Sequence, residues 1–337
     1  MYFSIPVAII LTLLSAAMWG SWMQVIKLHK GYPIEGIAFW LFVFSFVLIG
    51  GTTLILSPKL LPEGIIVASR GYTTVIIEIM LGGAMMSCGV LFGLVCMGEL
   101  GLLLVTTLSG TLTSILGVVT SIAKEGLPDN PTALSLILIA TAALLLASFI
   151  CSCSSNMCAR DRMVAEGKVS DGEKLKSAIT PRLILFILLY AILSNGWSIA
   201  TATGITVGMP PILICTYMAT GSALGILFVC SVLFTYKKMW KTVLCVRTSK
   251  RPLLLGMVSA LGYYGGNLIS IYSMPALSVT LSFLLGRTYS VWTYFWSFYY
   301  KEYQGSSKRT IFVLGSGLLL YVLALGLLLM YNSGNTT

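Results

Sequence analysis

Charged residues are scarce in this sequence of 337 residues, at 9% of the chain, whereas 57% of its residues are apolar and its mean hydropathy is +0.93. Soluble domains carry about 25% charged residues, so this composition excludes a soluble protein. With only one histidine, the chain has no group of His, Asp and Ser residues or of metal ligands that would indicate an enzyme. The phosphate-binding pattern GxxxxGK[ST] is also missing, so we expect neither ATP-driven transport nor a cofactor.

Long apolar runs, separated by short islands of charge, make up most of the chain. About 20 apolar residues cross roughly 30 Å of hydrocarbon, and each run must be helical because lipid offers the backbone amides no other partners. Ten runs meet this requirement: 3–25, 37–56, 72–97, 101–123, 131–153, 181–203, 211–235, 252–275, 277–299 and 310–331. The sequence therefore predicts an all-α integral membrane protein with ten transmembrane helices.

The basic residues are concentrated on one side of the predicted membrane. Of the 21 Lys and Arg residues, 17 fall in the loops that follow odd-numbered spans, three fall in other loops, and Arg287 lies within a span. The positive-inside rule places the 17-charge side in the cytoplasm and both termini on the extracytoplasmic side. The net charge of +10 thus reflects orientation in an anionic lipid bilayer, and we do not expect nucleic acid as a partner.

Seven of the eight cysteines fall into two sets. Four lie within predicted spans and are interpreted as small core residues: Cys88, Cys96, Cys215 and Cys230. Three more, Cys151, Cys153 and Cys158, fall where the fifth span meets the cytoplasmic loop. This second set fits a reduced cluster near the membrane, a reversible palmitoylation site, or a metal site with an incomplete ligand shell.

The two halves of the chain resemble each other at a spacing of 177 residues. A gapless alignment pairs residues 96–126 with residues 273–303, within the segment that begins at 272, and a shift of 176 pairs "WGS" at 19–21 with "NGW" at 195–197. The identical pairs include Met97 with Met274, Leu100 with Leu277, Thr111 with Thr288, Lys124 with Lys301, and Glu125 with Glu302. Because each half holds five spans, an odd number, the second half must enter the membrane from the opposite face. We predict two inverted five-helix repeats, 1–153 and 181–337, joined by a cytoplasmic loop at 154–180.

This arrangement resembles the drug/metabolite transporter superfamily, in which each five-helix half has a Lys-Glu pair at the end of its fourth span. The stretch "WGSWMQVIK" at 19–27 is similar to the Trp-Gly-Ser-Trp signature and following lysine of the ureide permease branch, which is grouped with glucose/ribose porters and the L-rhamnose/proton symporter. The resemblance implies a secondary active transporter that moves a small polar metabolite, a sugar or a ureide- or nucleobase-like solute, by alternating access. A non-transporting membrane scaffold or sensor with the same fold is the alternative, and a homodimer is left open.

Polar and aromatic residues at similar depths in the spans form the predicted substrate site. Arg287 lies about ten residues into the ninth span, where an unpaired charge costs at least ~2.5 to 3.5 kcal/mol, so it should face the bundle interior or water. The predicted substrate-binding set is Arg287, Asn195, Asn267, Tyr263, Trp19, Thr113 and Tyr294. For any single member, bonding to its own helix or bridging two helices is the alternative role.

Glu78 is the one carboxylate placed well inside a predicted span. We expect it to be the counter-charge of Arg287, because a vertical offset of about four residues, or ~6 Å, is within reach of two long side chains. Such a pair could fix helix packing only. It could also open to substrate or let Glu78 exchange a proton, since burial raises the pKa of an unpaired carboxyl group. Proton coupling through Glu78 is therefore a prediction.

Overall fold

Helices account for all the regular secondary structure that the structure describes. In this computed structural model, residues 3–28, 31–100, 102–126, 130–167, 180–244 and 250–334 are described, with the backbone alone at 102–104, 107, 133 and 331–334. The helices are α1 (Ile5–Trp22), α2 (Val25–Leu28), α3 (Ile34–Leu60), α4 (Ile65–Ala68), α5 (Thr73–Leu100), α6 (Leu102–Glu125), α7 (Pro131–Ala165), α8 (Pro181–Ser194), α9 (Gly196–Thr206), α10 (Pro211–Tyr236), α11 (Trp240–Leu244), α12 (Arg251–Leu277), α13 (Val279–Gly286), α14 (Tyr289–Tyr299) and α15 (Lys308–Gly334). Within these ranges there is no strand, which confirms the predicted all-α class.

Eight helical segments of the described chain are long and apolar enough to cross a membrane, with α1–α2 and α8–α9 each counted as one segment. They coincide with eight of the ten predicted spans. The other two predicted spans correspond to α6 and to the pair α13 and α14, which are not among the eight. At the end of the fifth predicted span, α7 continues to Ala165, so residues 154–165 of the predicted connecting loop are helical. Residues 168–179 of that loop lie outside the described residues.

The outer surface of the bundle is covered by large apolar side chains. Leu54, Ile55 and Phe312, for example, are 71%, 78% and 77% exposed. Leaving such a side chain in water rather than burying it costs about 1.5 to 3 kcal/mol, and a surface this apolar is suited to lipid. Hydroxyl groups lie inside instead and often bond within their own helix, as Thr12 does to the carbonyl oxygen of Ala8 at 2.9 Å. The protein is therefore a multi-pass membrane protein.

Helices from the first half of the chain pack extensively against helices from the second half. The most extensive of these interfaces join α7 to α15, α5 to α10, α12 to both α1 and α3, and α5 to the α8–α9 segment. Glycine permits the closest of these approaches. A Cβ atom on Gly82 would lie 2.5 Å from the carbonyl oxygen of Gly196, too close for any real side chain. The joint between α8 and α9 therefore rests directly on the backbone of α5.

Three of the helical segments are broken within their length. The breaks follow Trp22 between α1 and α2, occur at Asn195 between α8 and α9, and occur at Arg287 and Thr288 between α13 and α14. At these joints, amides bond to the carbonyl three residues earlier, whereas in an α-helix they bond to the carbonyl four residues earlier. The amide of Thr288, for example, donates to the carbonyl oxygen of Leu285 at 3.1 Å. Breaks of this kind re-aim the side chains that follow them. They therefore alter which residues share a face.

The cysteines pack as small residues for the most part. Cys96, Cys215 and Cys230 are buried and Cys88 is half-buried, which confirms their predicted place in the core. In the second set, Cys151 and Cys158 are buried and Cys153 is half-buried. The thiol of Cys158 donates to the carbonyl oxygen of Glu302 at 3.3 Å. Two of the three thiols near the predicted cytoplasmic loop are thus enclosed by neighbouring segments.

Candidate functional site

A cavity lies among six helical segments where two of the breaks occur. About 110 Å³ of it is open to the centres of water-sized molecules. One water needs roughly 10 to 15 Å³ on this measure, so the cavity can hold several waters or a small solute. Its wall consists of Trp19, Trp22, Met23, Val90, Ser109, Thr113, Tyr190, Ser194, Trp197, Ser198, Tyr263, Asn267, Phe283, Gly286, Arg287 and Tyr289.

Arg287 is the one charged residue in this wall. Its guanidinium donates to the carbonyl oxygen of Gly110 at 3.4 Å, and the Cζ atom lies 4.8 Å from the ring centroid of Phe283 and 5.8 Å from that of Tyr289. In the part of the chain that the structure describes, no carboxylate forms an ion pair with it. Its Nε atom is buried without a hydrogen-bond partner. The cation is therefore held by one carbonyl and two aromatic faces, and no carboxylate among the described residues balances its charge.

The indole ring of Trp19 is fixed in the wall between two glycines. A Cβ atom on Gly286 would lie 2.8 Å from its Cζ3 atom, and one on Gly266 would lie 2.8 Å from its Nε1 atom. The Nε1 group donates to Asn267 Oδ1 at 3.0 Å and to the carbonyl oxygen of Tyr263 at 3.2 Å. These contacts leave the ring little freedom to move. Only residues without a side chain allow α12 and α13 to approach it on both sides.

Several polar groups in the wall have no hydrogen-bond partner. They are the side-chain nitrogens Nε1 of Trp22, Nε1 of Trp197, Nδ2 of Asn267 and Nε of Arg287, together with the hydroxyl of Ser194. The four nitrogens can only donate, and the hydroxyl can donate or accept. A buried donor without a partner costs about 1 to 3 kcal/mol. A ligand or ordered water with acceptor atoms would remove this cost for any side chain that turns its polar group toward the cavity.

Five of the predicted substrate-binding residues lie in the wall: Arg287, Asn267, Tyr263, Trp19 and Thr113. The hydroxyl of Thr113 donates to the carbonyl oxygen of Ser109 in its own helix at 2.7 Å, which was the alternative role for such residues. Its lone pairs remain available as acceptors. The sequence therefore identified residues from α1, α6, α12 and the α13–α14 break that the fold brings to one place.

Two predicted site residues, Asn195 and Tyr294, are not part of the wall. The Asn195 amide donates to the hydroxyl of Thr120 at 2.8 Å. It therefore connects the α8–α9 joint to α6. Tyr294 is 2% exposed and lies two turns beyond Arg287. The prediction for Tyr294 assumed one continuous helix, whereas the segment is broken at Arg287 and Thr288.

The predicted pairing of Glu78 with Arg287 was wrong. Glu78 instead lies 3.3 Å from the ammonium of Lys124 and accepts from the hydroxyl of Thr203 at 3.1 Å. The Glu78 side chain is 42% exposed and is not in the cavity wall. The physical reason is that α5 and α6 run antiparallel, so the start of α5 meets the end of α6, where Lys124 lies. A proton-coupling role for Glu78 stays a prediction.

Sequence reasoning missed much of the aromatic wall, including Trp22, Tyr190, Trp197 and Tyr289. The sequence did contain a signal for Trp197. The alignment of "WGS" with "NGW" pairs it with Ser21, two residues from Trp19. The two rings meet edge to face with their centroids 5.5 Å apart. The sequence contained no such signal for Tyr190, because the apolar run around it predicts only packing against other helices.

Comparison with solved structures supports the fold. One solved structure, described as "Crystal structure of protein", has 14% sequence identity to this chain, covers 99% of this chain and 100% of its own, and superposes with a TM-score of 0.63. At this identity the likeness concerns the fold alone. Neither a family model nor a curated protein sequence matches the chain.

Proposed function

We propose that this protein is a secondary transporter that moves a small polar metabolite across a membrane by alternating access. The observation that carries the proposal is the cavity itself: a polar, aromatic-lined space around an unbalanced cation, located where two helical segments break. Transporters of inverted-repeat architecture place their substrate sites at discontinuous helices near the midplane. The proposal includes ten transmembrane segments, with α6 and the α13–α14 pair as the fourth and ninth.

The packing pattern supports an inverted repeat. The first segment of each predicted half packs against the third segment of the other half, since α1 contacts α12 and the α8–α9 segment contacts α5. The second segment of each half likewise contacts the third of the other, through α3 with α12 and α10 with α5. The cavity wall draws on the first, third and fourth segments of each half. A pseudo-two-fold axis would produce this exchange of partners.

One contact supports a position of the cation beside such an axis. In the alignment with a shift of 177 residues, the counterpart of Arg287 is Gly110, and the guanidinium donates to the Gly110 carbonyl at 3.4 Å. A residue can meet its own symmetry equivalent only close to the axis. The axis of an inverted repeat lies in the membrane plane, between the halves that rock. Arg287 thus has the position expected of a central substrate contact.

Contacts between the halves at both ends of the bundle could serve as gates. At one end, the carboxylate of Glu125 accepts from the backbone amides of Val279 at 2.6 Å and Thr280 at 2.9 Å. At the other end, Lys27 lies 2.6 Å from Glu302, and its Nζ atom is 4.4 Å from the ring centroid of Tyr300. Rocking of the halves requires that one set opens while the other closes. We infer that these contacts alternate during transport.

Solute flux is the direct test. The purified protein is screened for thermal stabilisation by sugars, ureides and nucleobases, and any stabilising solute is then followed into liposomes. We expect uptake by the wild-type protein, loss of uptake in Arg287→Ala, and normal uptake in Arg182→Ala, whose side chain is 65% exposed at the start of α8. Absence of flux for every stabilising solute would favour the non-transporting scaffold or sensor.

Proton coupling has a separate test. If Glu78 exchanges protons, uptake responds to an imposed pH gradient in the wild-type protein and loses that response in Glu78→Gln. The matched control is Glu63→Gln, because Glu63 is an exposed carboxylate between α3 and α4. An unchanged gradient response in Glu78→Gln would leave Glu78 with a packing role through Lys124 and Thr203.

A further inference from the structure

The cavity carries one positive charge and several donors, and these properties restrict what can occupy it. Arg287 contributes the charge, and no carboxylate lines the wall. An isolated charge in a low-dielectric interior is costly unless it is paired. In the described chain, the nearest compensation consists of the Gly110 carbonyl and the faces of Phe283 and Tyr289. The residues that line the cavity therefore carry a net charge of +1.

The buried polar groups that have no hydrogen-bond partner also favour a ligand with acceptor atoms. Trp22, Trp197, Asn267 and Arg287 each have a buried nitrogen that can only donate, and none of these atoms has a partner. All four residues line the cavity. The wall has hydroxyl groups that can accept, such as that of Thr113, but it contributes no unpartnered buried atom that can only accept. A side chain of this set that turns its donor toward the cavity would bind an acceptor-rich ligand better than a polyhydroxyl ligand that must also donate.

The shape of the wall favours a flat ligand. The rings of Trp19 and Trp197 meet at 87° with their centroids 5.5 Å apart, and Trp197 is tilted against Phe283 at 6.1 Å. Trp22, also in the wall, is tilted against Tyr263 with the ring centroids 5.1 Å apart. Aromatic rings prefer offset-stacked or edge-to-face neighbours. A planar ligand can make the same kinds of contact with these rings, and the guanidinium of Arg287 belongs to the same wall.

We propose that the cavity binds a small planar organic monoanion, with its anionic oxygens at Arg287 and its ring among Trp19, Trp22 and Trp197. This inference rests on the proposed transport function for its biological meaning, but binding itself does not require transport. Carboxylate oxygens suit the guanidinium because its donors form a planar fork of matching geometry. Neutral sugars lack the required charge and are the disfavoured class.

The test compares two pairs of probes that differ in charge and hardly in shape: nicotinate with nicotinamide, and benzoate with benzamide. Three tryptophans line the cavity, so tryptophan fluorescence of the purified full chain at pH 7 reports its occupancy. We expect each acid to bind at least tenfold more tightly than its amide. Equal binding of acid and amide, tighter binding of the amides, or binding of neither set would overturn the proposal.

Variants then locate the charge preference. In Arg287→Gln we expect the preference for the acids to fall to within twofold, and in Arg287→Lys we expect it to be partly retained. The control Arg182→Gln should keep the full preference. A charge preference that survives in a folded Arg287→Gln protein would refute the assignment. If that variant fails to fold, Trp22→Phe, which removes one donor and keeps a ring, should weaken nicotinate binding several-fold, and unchanged binding would count against the proposal.

Flux measurements separate this inference from the proposed function. Selective binding of the acids without uptake into liposomes would refute transport and leave the anion site intact. Uptake of a neutral solute that nicotinate does not inhibit would support transport and refute the anion site. The two proposals can therefore fail independently.

Discussion

Replacement of Gly286 by alanine should disturb the cavity by displacing Trp19. The added Cβ atom would lie 2.8 Å from the Cζ3 atom of the indole ring. The ring cannot simply retreat, because its opposite edge faces Gly266 and its Nε1 group is bonded to Asn267 Oδ1 and to the Tyr263 carbonyl. Trp19 must therefore move along the wall or tilt. Either movement changes the cavity and its hydrogen bonds.

The geometry sets the size of the effect. Carbon atoms rest at about 3.5 to 4.0 Å from each other, so the ring must shift by roughly 0.7 Å or more. A shift of that size takes the Nε1 bonds, now 3.0 and 3.2 Å, toward or past the limit for a hydrogen bond. Each bond contributes about 0.5 to 1.5 kcal/mol. We expect a loss of about 1 to 3 kcal/mol in the free energy of unfolding, together with weaker nicotinate binding because the displaced ring alters the cavity.

The assay measures nicotinate affinity and the thermal unfolding midpoint of Gly286→Ala. The control is Gly315→Ala in α15, where an added Cβ atom meets nothing within 4 Å. There alanine should be neutral or slightly stabilising, because glycine costs about 0.5 to 1 kcal/mol inside a helix. We expect weaker binding only in Gly286→Ala.

A double variant decides whether the indole ring is the obstacle. Trp19→Phe has a smaller ring, so adding Gly286→Ala to it should cause little further loss. The two changes are then non-additive, as expected for residues in contact. Wild-type behaviour of Gly286→Ala, or full additivity in the double variant, would refute the clamped-ring explanation.

Two further predictions concern contacts between segments. Glu125→Gln removes a charge-assisted cap from the start of α13, and because Glu125 is exposed we expect a loss of about 1 to 2 kcal/mol, seen as a lower unfolding midpoint relative to Glu63→Gln; equal midpoints would contradict the gate assignment. Gly82→Ala should destabilise the protein by about 1 to 3 kcal/mol, since its Cβ atom would meet the Gly196 carbonyl at 2.5 Å, whereas Gly50→Ala meets nothing within 4 Å. A Gly82→Ala protein as stable as Gly50→Ala would show that α5 and α9 can separate freely.

Composition and segment length determined the fold class and the positions of most helices. The apolar runs had to be helices because lipid leaves backbone amides no other partners, and their borders agree with the structure within a few residues apart from the end of α7. The sequence also determined that Arg287 must lie in the interior, since the cost of a charge in lipid does not depend on which neighbours surround it.

Tertiary structure decided the neighbours. The partner of Glu78 is Lys124, because antiparallel packing of α5 and α6 brings their ends together, and depth along a helix could not reveal that. Tyr294 was predicted to share a helix face with Arg287, but the helix breaks at Arg287 and Thr288. No proline or glycine follows the arginine, so the sequence after it gave no sign of the break. Trp22, Tyr190 and Tyr289 entered the wall through packing between segments distant in the chain. Hydropathy and helical spacing describe one segment at a time, whereas a cavity is defined by the surfaces that several segments present to one another.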